Sequence, residues 1–234
     1  MRTRRARSPP WPPPRAADVP GTLVKICGLT SPQDARAAVE AGAEWLGFVL
    51  LGDSPRQIEV HAGAAIAAAC PGTPTVAVMV APTPEQALAL AARAGARRVQ
   101  LHRVDPAAWP ADFPLPVTFS VPVGENGRLK AALPDERHLV LLDTADPARA
   151  GGTGRVFPWE AVARLAARRP VLLAGGLDAT NVAAAIKRVR PFGVDASSRL
   201  ESEPGVKDAE KVQRFIAAVR RCDMQLAGAG EEER

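Results

Sequence analysis

Val24-Lys25-Ile26-Cys27-Gly28-Leu29-Thr30 alternates apolar and reactive side chains as a β-strand does, then stops at a glycine. On a strand Lys25, Cys27 and Leu29 share one face and Val24 and Ile26 the other, which makes Cys27 the last reactive group before the turn. An ammonium two residues below it, ~6–7 Å along the chain at the usual rise, is expected to give the thiol more thiolate character than a free cysteine has. The plainer alternative is a buried, inert cysteine above a lysine whose stem is buried. What decides between them is what the rest of the chain builds around this strand.

From residue 23 onward the same short run recurs: a β-branched or leucine-rich stretch, a Gly, Pro or Asp break, then an alanine-rich helical segment. The runs are 24–29, 45–50, 75–80, 99–102, 117–121, 139–143, 171–174 and 193–197, eight in all. Between them the segments 32–41, 60–70, 84–94, 158–168, 179–189 and 208–221 read as helices, most of them opening on the Pro, Asp or Thr of a helix start. The connections after Val104, with only a weak helix at 106–108, and after Val123, with Gly124, Gly127 and Pro134, are poor in helix signals. Eight strands alternating with helices in about 200 residues is the least that closes a barrel, whereas an open sheet would leave buried strands with edges to protect. The expected fold is therefore α/β: a closed (β/α)8 TIM barrel in a single domain. Reactive residues should then lie at the carboxyl ends of the strands, and Cys27, His102, Asp143, Gly175 and Ser198 all do.

The barrel is assigned to residues 22–222, between an Arg/Pro-rich extension (1–21) expected to be disordered and a polar tail (223–234) expected to fray. The net charge of +5 suggests a nucleic-acid partner until it is located. Arg2, Arg4, Arg5, Arg7 and Arg15 face only Asp18 in the extension, which leaves the folded part close to neutral. The extension reads as a basic arm for an anionic partner or as a segment without function, and its lack of stacking aromatics apart from Trp11 favours the second. Three widely spaced cysteines, Cys27, Cys70 and Cys222, fit neither a disulfide framework nor a zinc site and point to a reducing cytoplasm. The first twenty residues lack an apolar stretch of the signal-peptide kind, and nothing is long and apolar enough for a bilayer, so neither export nor membrane insertion is expected.

Asp143 ends the run Leu139-Val140-Leu141-Leu142-Asp143 and shares the inward face with Leu139 and Leu141. A carboxylate there is costly unless solvated or used; capping the following turn is the alternative. From strands well apart in the barrel, Asp143 and Cys27 would face each other across its mouth, one able to donate and one to accept a proton, as an isomerisation requires. Gly175-Gly176 after the seventh strand and Ser197-Ser198-Arg199 after the eighth stand where barrels bind phosphate through backbone N–H groups. Gly151-Gly152-Thr153-Gly154 reads as a mobile cover over the mouth, not as a dinucleotide fingerprint, because it neither follows a strand directly nor opens a helix. Arg56, in Ser54-Pro55-Arg56, is a candidate bidentate grip for a carboxylate or else an exposed loop arginine. His102 is a polar rim residue or a satisfied buried imidazole, and the second is preferred. No His/Asp/Glu cluster has metal-ligand spacing, so no metal is expected.

With these positions assembled, the chain closely resembles the phosphoribosylanthranilate isomerases of tryptophan biosynthesis from Val24 to about Arg220. The resemblance rests on Lys25-Ile26-Cys27-Gly28-Leu29-Thr30, Gly47-Phe48-Val49, Ser54-Pro55-Arg56, Val99-Gln100-Leu101-His102 and Leu141-Leu142-Asp143-Thr144. It continues through Gly151-Gly152-Thr153-Gly154, Ala174-Gly175-Gly176-Leu177 with Asn181-Val182, Arg190-Pro191-Phe192-Gly193-Val194-Asp195 and Pro204-Gly205-Val206-Lys207-Asp208. The resemblance implies an Amadori rearrangement without metal or cofactor: Asp143 as general acid on the furanose oxygen and Cys27 as base at the neighbouring carbon. It implies Arg56 on the anthranilate carboxylate and the glycine and serine loops, with Gly152, Gly154, Gly175, Gly176, Ser197 and Ser198, on the phosphate; His102 and Arg199 stand as further candidates around this phosphorylated small-molecule substrate, Arg199 either adding its charge to the phosphate site or turning outward. Three positions depart from the usual pattern: Arg199 and Arg103 stand where glycine is common, and Phe119-Ser120-Val121 lacks a frequent lysine. The departure at Arg199 bears on the detail of the phosphate site. Two other readings stand beside the isomerase: a broader isomerase that also takes the histidine-pathway aminoaldose, which calls for an aspartate where Cys27 stands, and a non-catalytic barrel binding phosphorylated ligands or, through the arm, nucleic acid. No nucleic-acid or membrane partner is expected, and the assembly is a monomer or a homodimer. Lys25, pointing into the barrel, needs a counter-charge, and Asp195 on the neighbouring eighth strand is the expected one.

Overall fold

The computed structural model describes residues 21–144 and 158–232. The chain runs through β1 (Leu23–Ile26), α1 (Pro32–Glu40), β2 (Trp45–Leu51), α2 (Val60–Ala69), β3 (Thr75–Val80), α3 (Pro84–Arg93) and β4 (Arg98–His102). A 3-10 turn (Pro106–Ala108) leads to β5 (Val117–Val123) and β6 (Leu139–Thr144). After these come α4 (Glu160–Ala166), β7 (Val171–Leu173), α5 (Val182–Val189), β8 (Gly193–Ala196) and a second 3-10 turn (Ser198–Leu200). A short antiparallel hairpin, β9 (Glu201–Glu203) with β10 (Val206–Lys207), precedes the last helix, α6 (Ala209–Glu232). β1 to β8 close into a parallel barrel whose seam pairs β1 with β8 and sets Lys25 opposite Asp195.

The period of two sorts each strand between two layers. Val24, Ile26, Phe48, Met79, Leu101 and Leu142 point outward and are sealed by the helices, each burial worth roughly 1.5–3 kcal/mol. Inside, Leu23, Trp45, Val76, Leu139, Leu141 and Leu172 plug the amino-terminal end, while Cys27, Val49 and Val78 lie nearer the mouth. The apolar plug closes one end, so polar groups gather at the other. Helix starts follow their sequence signals: Ser31 accepts from the Asp34 N–H at 3.1 Å ahead of Pro32, and Thr83 and Gln86 form a reciprocal capping box.

Several boundaries differ from the expected ones. β1 ends at Ile26 and Gly28 turns with φ +71°, so Leu29 joins the outer apolar layer instead of sharing the inward face with Lys25 and Cys27. α5 begins at Val182 rather than 179, because Asp178 Oδ1 accepts from the N–H and hydroxyl of Thr180 and holds a turn there. The connections after β4 and β5 are the weak ones anticipated: a single 3-10 turn after the first, and no helix in the second. α6 continues to Glu232, through most of the segment expected to fray. Asp223, on this continuation, accepts from both the N–H (2.9 Å) and the hydroxyl (2.7 Å) of Thr22, tying the helix to the start of β1.

Candidate active site

The cleft at the carboxyl ends of the strands, about 650 Å³ including its open mouth, brings the sequence candidates together. Cys27 reaches it from the end of β1, Arg56 from the loop after β2, His102 from β4 and Asp143 from β6. Gly175 and Gly176 come from the turn after β7, and Ser197, Ser198 and Arg199 from the turn after β8. Gly152 and Gly154, with the glycine-rich loop they belong to, lie outside the described residues.

Cys27 is 8% exposed, above a fully buried Lys25. A Cβ on Gly47 would stand 2.9 Å from Cys27 Sγ and 3.0 Å from Lys25 Nζ, so the two atoms flank one bare backbone position and lie within about 6 Å of each other. Burial pushes the thiol above its ordinary value of 9.0, and the pull of Lys25 does not cancel it. Removal of the thiol from water thus outweighs the ammonium, against the extra thiolate character expected from sequence. Lys25 Nζ makes a 2.8 Å ion pair with Asp195 Oδ2, the counter-charge anticipated for it.

Burial, with the like charge of Asp195 second, pushes the Asp143 carboxyl from 3.8 up to about 7. The 2.8 Å hydrogen bond it accepts from the Thr144 N–H only partly offsets this. A carboxyl so placed is substantially protonated at neutral pH, as a general acid must be. The same shift has a stability consequence. The folded value lies above the unfolded one, so the penalty is absent below about pH 4, grows through pH 4–7 and is complete above 7. Because Asp143 borders the open mouth, water absorbs part of it, and Asp143→Asn should gain roughly 2 kcal/mol at pH 8 and almost nothing at pH 4. Urea unfolding of both proteins at the two pH values checks this; an equal gain at both would contradict it.

His102 is at once a buried imidazole held by Gln100 Nε2 at 3.0 Å and part of the cleft wall. Burial, helped by Lys25 and Arg103, lowers it to about 4, so it is neutral and Nε2 accepts from the amide. Arg56 is not an exposed loop residue. Its Nε and Nη2 donate to Glu201 Oε1 and Oε2, each at 2.7 Å, leaving Nη1 and the second Nη2 hydrogen for an incoming carboxylate. Lys207 Nζ binds the same Glu201 at 2.6 Å with its side chain 1% exposed. Glu201 and Lys207 were not singled out for chemistry from sequence; only the motif Pro204-Gly205-Val206-Lys207-Asp208 pointed to this corner. In the turn after β7 Gly175 has φ +92°, and a Cβ there would stand 2.9 Å from the Thr144 nitrogen and 3.2 Å from Asp143 Oδ1, so a side chain would crowd the acid. Arg199 reaches Asp178 at 3.4 Å beside it.

A (β/α)8 barrel whose mouth holds a protonatable carboxyl, a thiol and a guanidinium beside glycine-rich turns is suited to acid–base chemistry on an anionic small molecule. Residues 24–218 match the family model described as N-(5'phosphoribosyl)anthranilate (PRA) isomerase, and the chain belongs to that family. It is 42% identical over 202 residues to N-(5'-phosphoribosyl)anthranilate isomerase of Desulforudis audaxviator (strain MP104C), an alignment covering 85% of this chain and 98% of the relative. The phosphoribosyl anthranilate isomerase structure from Thermus thermophilus superposes with a TM-score of 0.74 at 34% identity, covering 86% of this chain and 99% of that one. Another phosphoribosyl anthranilate isomerase, in complex with reduced 1-(o-carboxyphenylamino)-1-deoxyribulose 5-phosphate, superposes with a TM-score of 0.68 at 30% identity, again covering 86% and 99%.

Proposed function

We propose that Asp143 and Cys27 catalyse an Amadori rearrangement in this cleft, converting N-(5-phosphoribosyl)anthranilate to 1-(2-carboxyphenylamino)-1-deoxy-D-ribulose 5-phosphate in tryptophan biosynthesis. The observation that carries the assignment of roles is that these two groups, from strands on separate parts of the barrel, line one cavity. Asp143 gives its proton to the furanose oxygen; the carbon–oxygen bond breaks, and the anthranilate nitrogen lone pair closes a Schiff base. Cys27, as thiolate, takes the hydrogen of the adjacent carbon, and the resulting enolamine becomes the ketone. The acid needs a carboxyl that keeps a proton near neutrality, which burial provides for Asp143. The base needs help to ionise, and Lys25 supplies a positive charge.

The substrate's two anionic ends fit the two cationic rims. Arg56, held by Glu201, offers its remaining N–H groups to the anthranilate carboxylate. The Gly175-Gly176 and Ser197-Ser198 turns, with Arg199 beside them, face the phosphate. Arg199 stands where a glycine is common in the family, and its ion pair with Asp178 holds it beside these turns. Freshly made substrate tests the assignment: its fluorescence should decay in proportion to added enzyme. Decay no faster than spontaneous hydrolysis would contradict it.

A further inference from the structure

The floor of the cleft holds a charge pair of which the proton transfers above use only Lys25, leaving Asp195 without a task. Lys25 is fully buried and Asp195 is 6% exposed, yet Asp195 lines the cleft. Only one carboxylate oxygen, Oδ2, is taken by Lys25; the other, Oδ1, is buried and makes no hydrogen bond among the described residues. Buried carboxylate oxygens are seldom left this way, because an unpaired acceptor forfeits its hydration with nothing in return. Burial pushes the Asp195 carboxyl up against the pull of Lys25, and for Lys25 the attraction of Asp195 and Cys27 more than offsets burial and keeps it protonated. The titratable groups around the pair are Cys27, Asp143, His102 and Lys207. None of them donates to Oδ1.

Geometry says what would. The Cys27 N–H donates to the Ala196 carbonyl at 2.9 Å and Asp195 lies opposite Lys25, so Asp195 sits two residues deeper than the thiol, on the adjoining strand. A carbon that gives its hydrogen to Cys27 therefore lies within reach of Asp195 for one of its other substituents. In a sugar that substituent is a hydroxyl, and as this carbon becomes a ketone its O–H bond has to weaken.

We propose that Asp195 Oδ1 accepts the substrate hydroxyl on the carbon that yields its hydrogen to Cys27, with Lys25 as the positioning residue that holds the other oxygen. The inference rests on the isomerase reading. Asp195 binds and polarises the hydroxyl, and no covalent step is assigned to it. A single Asp195 substitution leaves Lys25 buried without its counter-charge, so the variant is Lys25→Met with Asp195→Leu, which replaces the pair by apolar groups of similar size.

Two stable ligands carry the test: the reduced product, with a hydroxyl on that carbon, and its analogue with hydrogen there. Fluorescence titration should show the native protein preferring the hydroxyl ligand by on the order of tenfold to a hundredfold, the range for a hydrogen bond to a charged group. In the double variant the preference should fall below about threefold, a change in ratio that a merely structural role of the pair would not produce. Equal affinities in the native protein, or a preference that survives in the variant, would overturn the proposal. If neither ligand binds the native protein, the isomerase reading beneath it fails as well.

Discussion

Cys27→Ala should lower kcat about 10²–10⁴-fold with KM changed only a fewfold, because the side chain takes part in proton transfer and not in holding either anionic end. Asp143→Asn should cost a similar factor: it retains the shape and the hydrogen bond from Thr144, but the amide has no proton to give the ring oxygen. The double variant should be only slightly worse than the weaker single one, since a base without its acid, or the reverse, cannot complete the same reaction. Steady-state kinetics by substrate fluorescence measures all three. Near-normal turnover by purified Cys27→Ala would remove the base from the scheme.

The second large effect is expected away from the reacting atoms. Glu201 is the shared partner of Arg56 and Lys207, whose side chains are 14% and 1% exposed. Burial alone would raise its pKa, but the hydrogen bond from Arg56 and the charge of Lys207 hold it below the usual glutamate value. Glu201→Leu removes the anion and leaves Lys207 buried without a counter-charge, which costs about 3–5 kcal/mol. In a chain of this size that is a fall in Tm of roughly 10 °C. KM should rise as well, because Arg56 loses the contact that orients it. A thermal scan with an unchanged midpoint would show that the cluster is better solvated than its burial implies.

The sequence made the barrel readable because eight runs keep the strand period and the helices between them carry their caps, as at Pro32 and Thr83. The same period aimed Lys25, Cys27 and Asp143 inward and predicted the Lys25–Asp195 pair, since neighbouring strands at the seam place inward residues side by side. Leu29 went the wrong way because the period stops when Gly28 turns the chain. Glu201 was invisible for a different reason: it lies 145 residues from Arg56, and no local pattern joins a loop arginine to a distant hairpin. The continuation of α6 was missed because its polar, glycine-containing sequence is a poor helix by propensity, and it is held by tertiary contacts of Asp223 with Thr22 and of Leu226 with the core. The ionisation of Cys27 is not legible in sequence, because charge spacing along a strand can be read there and the depth of burial around the thiol cannot.

Central to the account is one proton shared between Asp143 and Cys27. With the acid near 7 and the thiol above its ordinary 9.0, kcat/KM should rise to a plateau through pH 7, as the second proton leaves, and fall only above the thiol's value, when none remains. In Asp143→Asn the limb near 7 should vanish, the small residual rate climbing steadily until the thiol ionises. The pH dependence of kcat/KM for these two proteins is the most direct test: a limb near 7 that belongs to Asp143 is the predicted result, and one that persists in Asp143→Asn would contradict it.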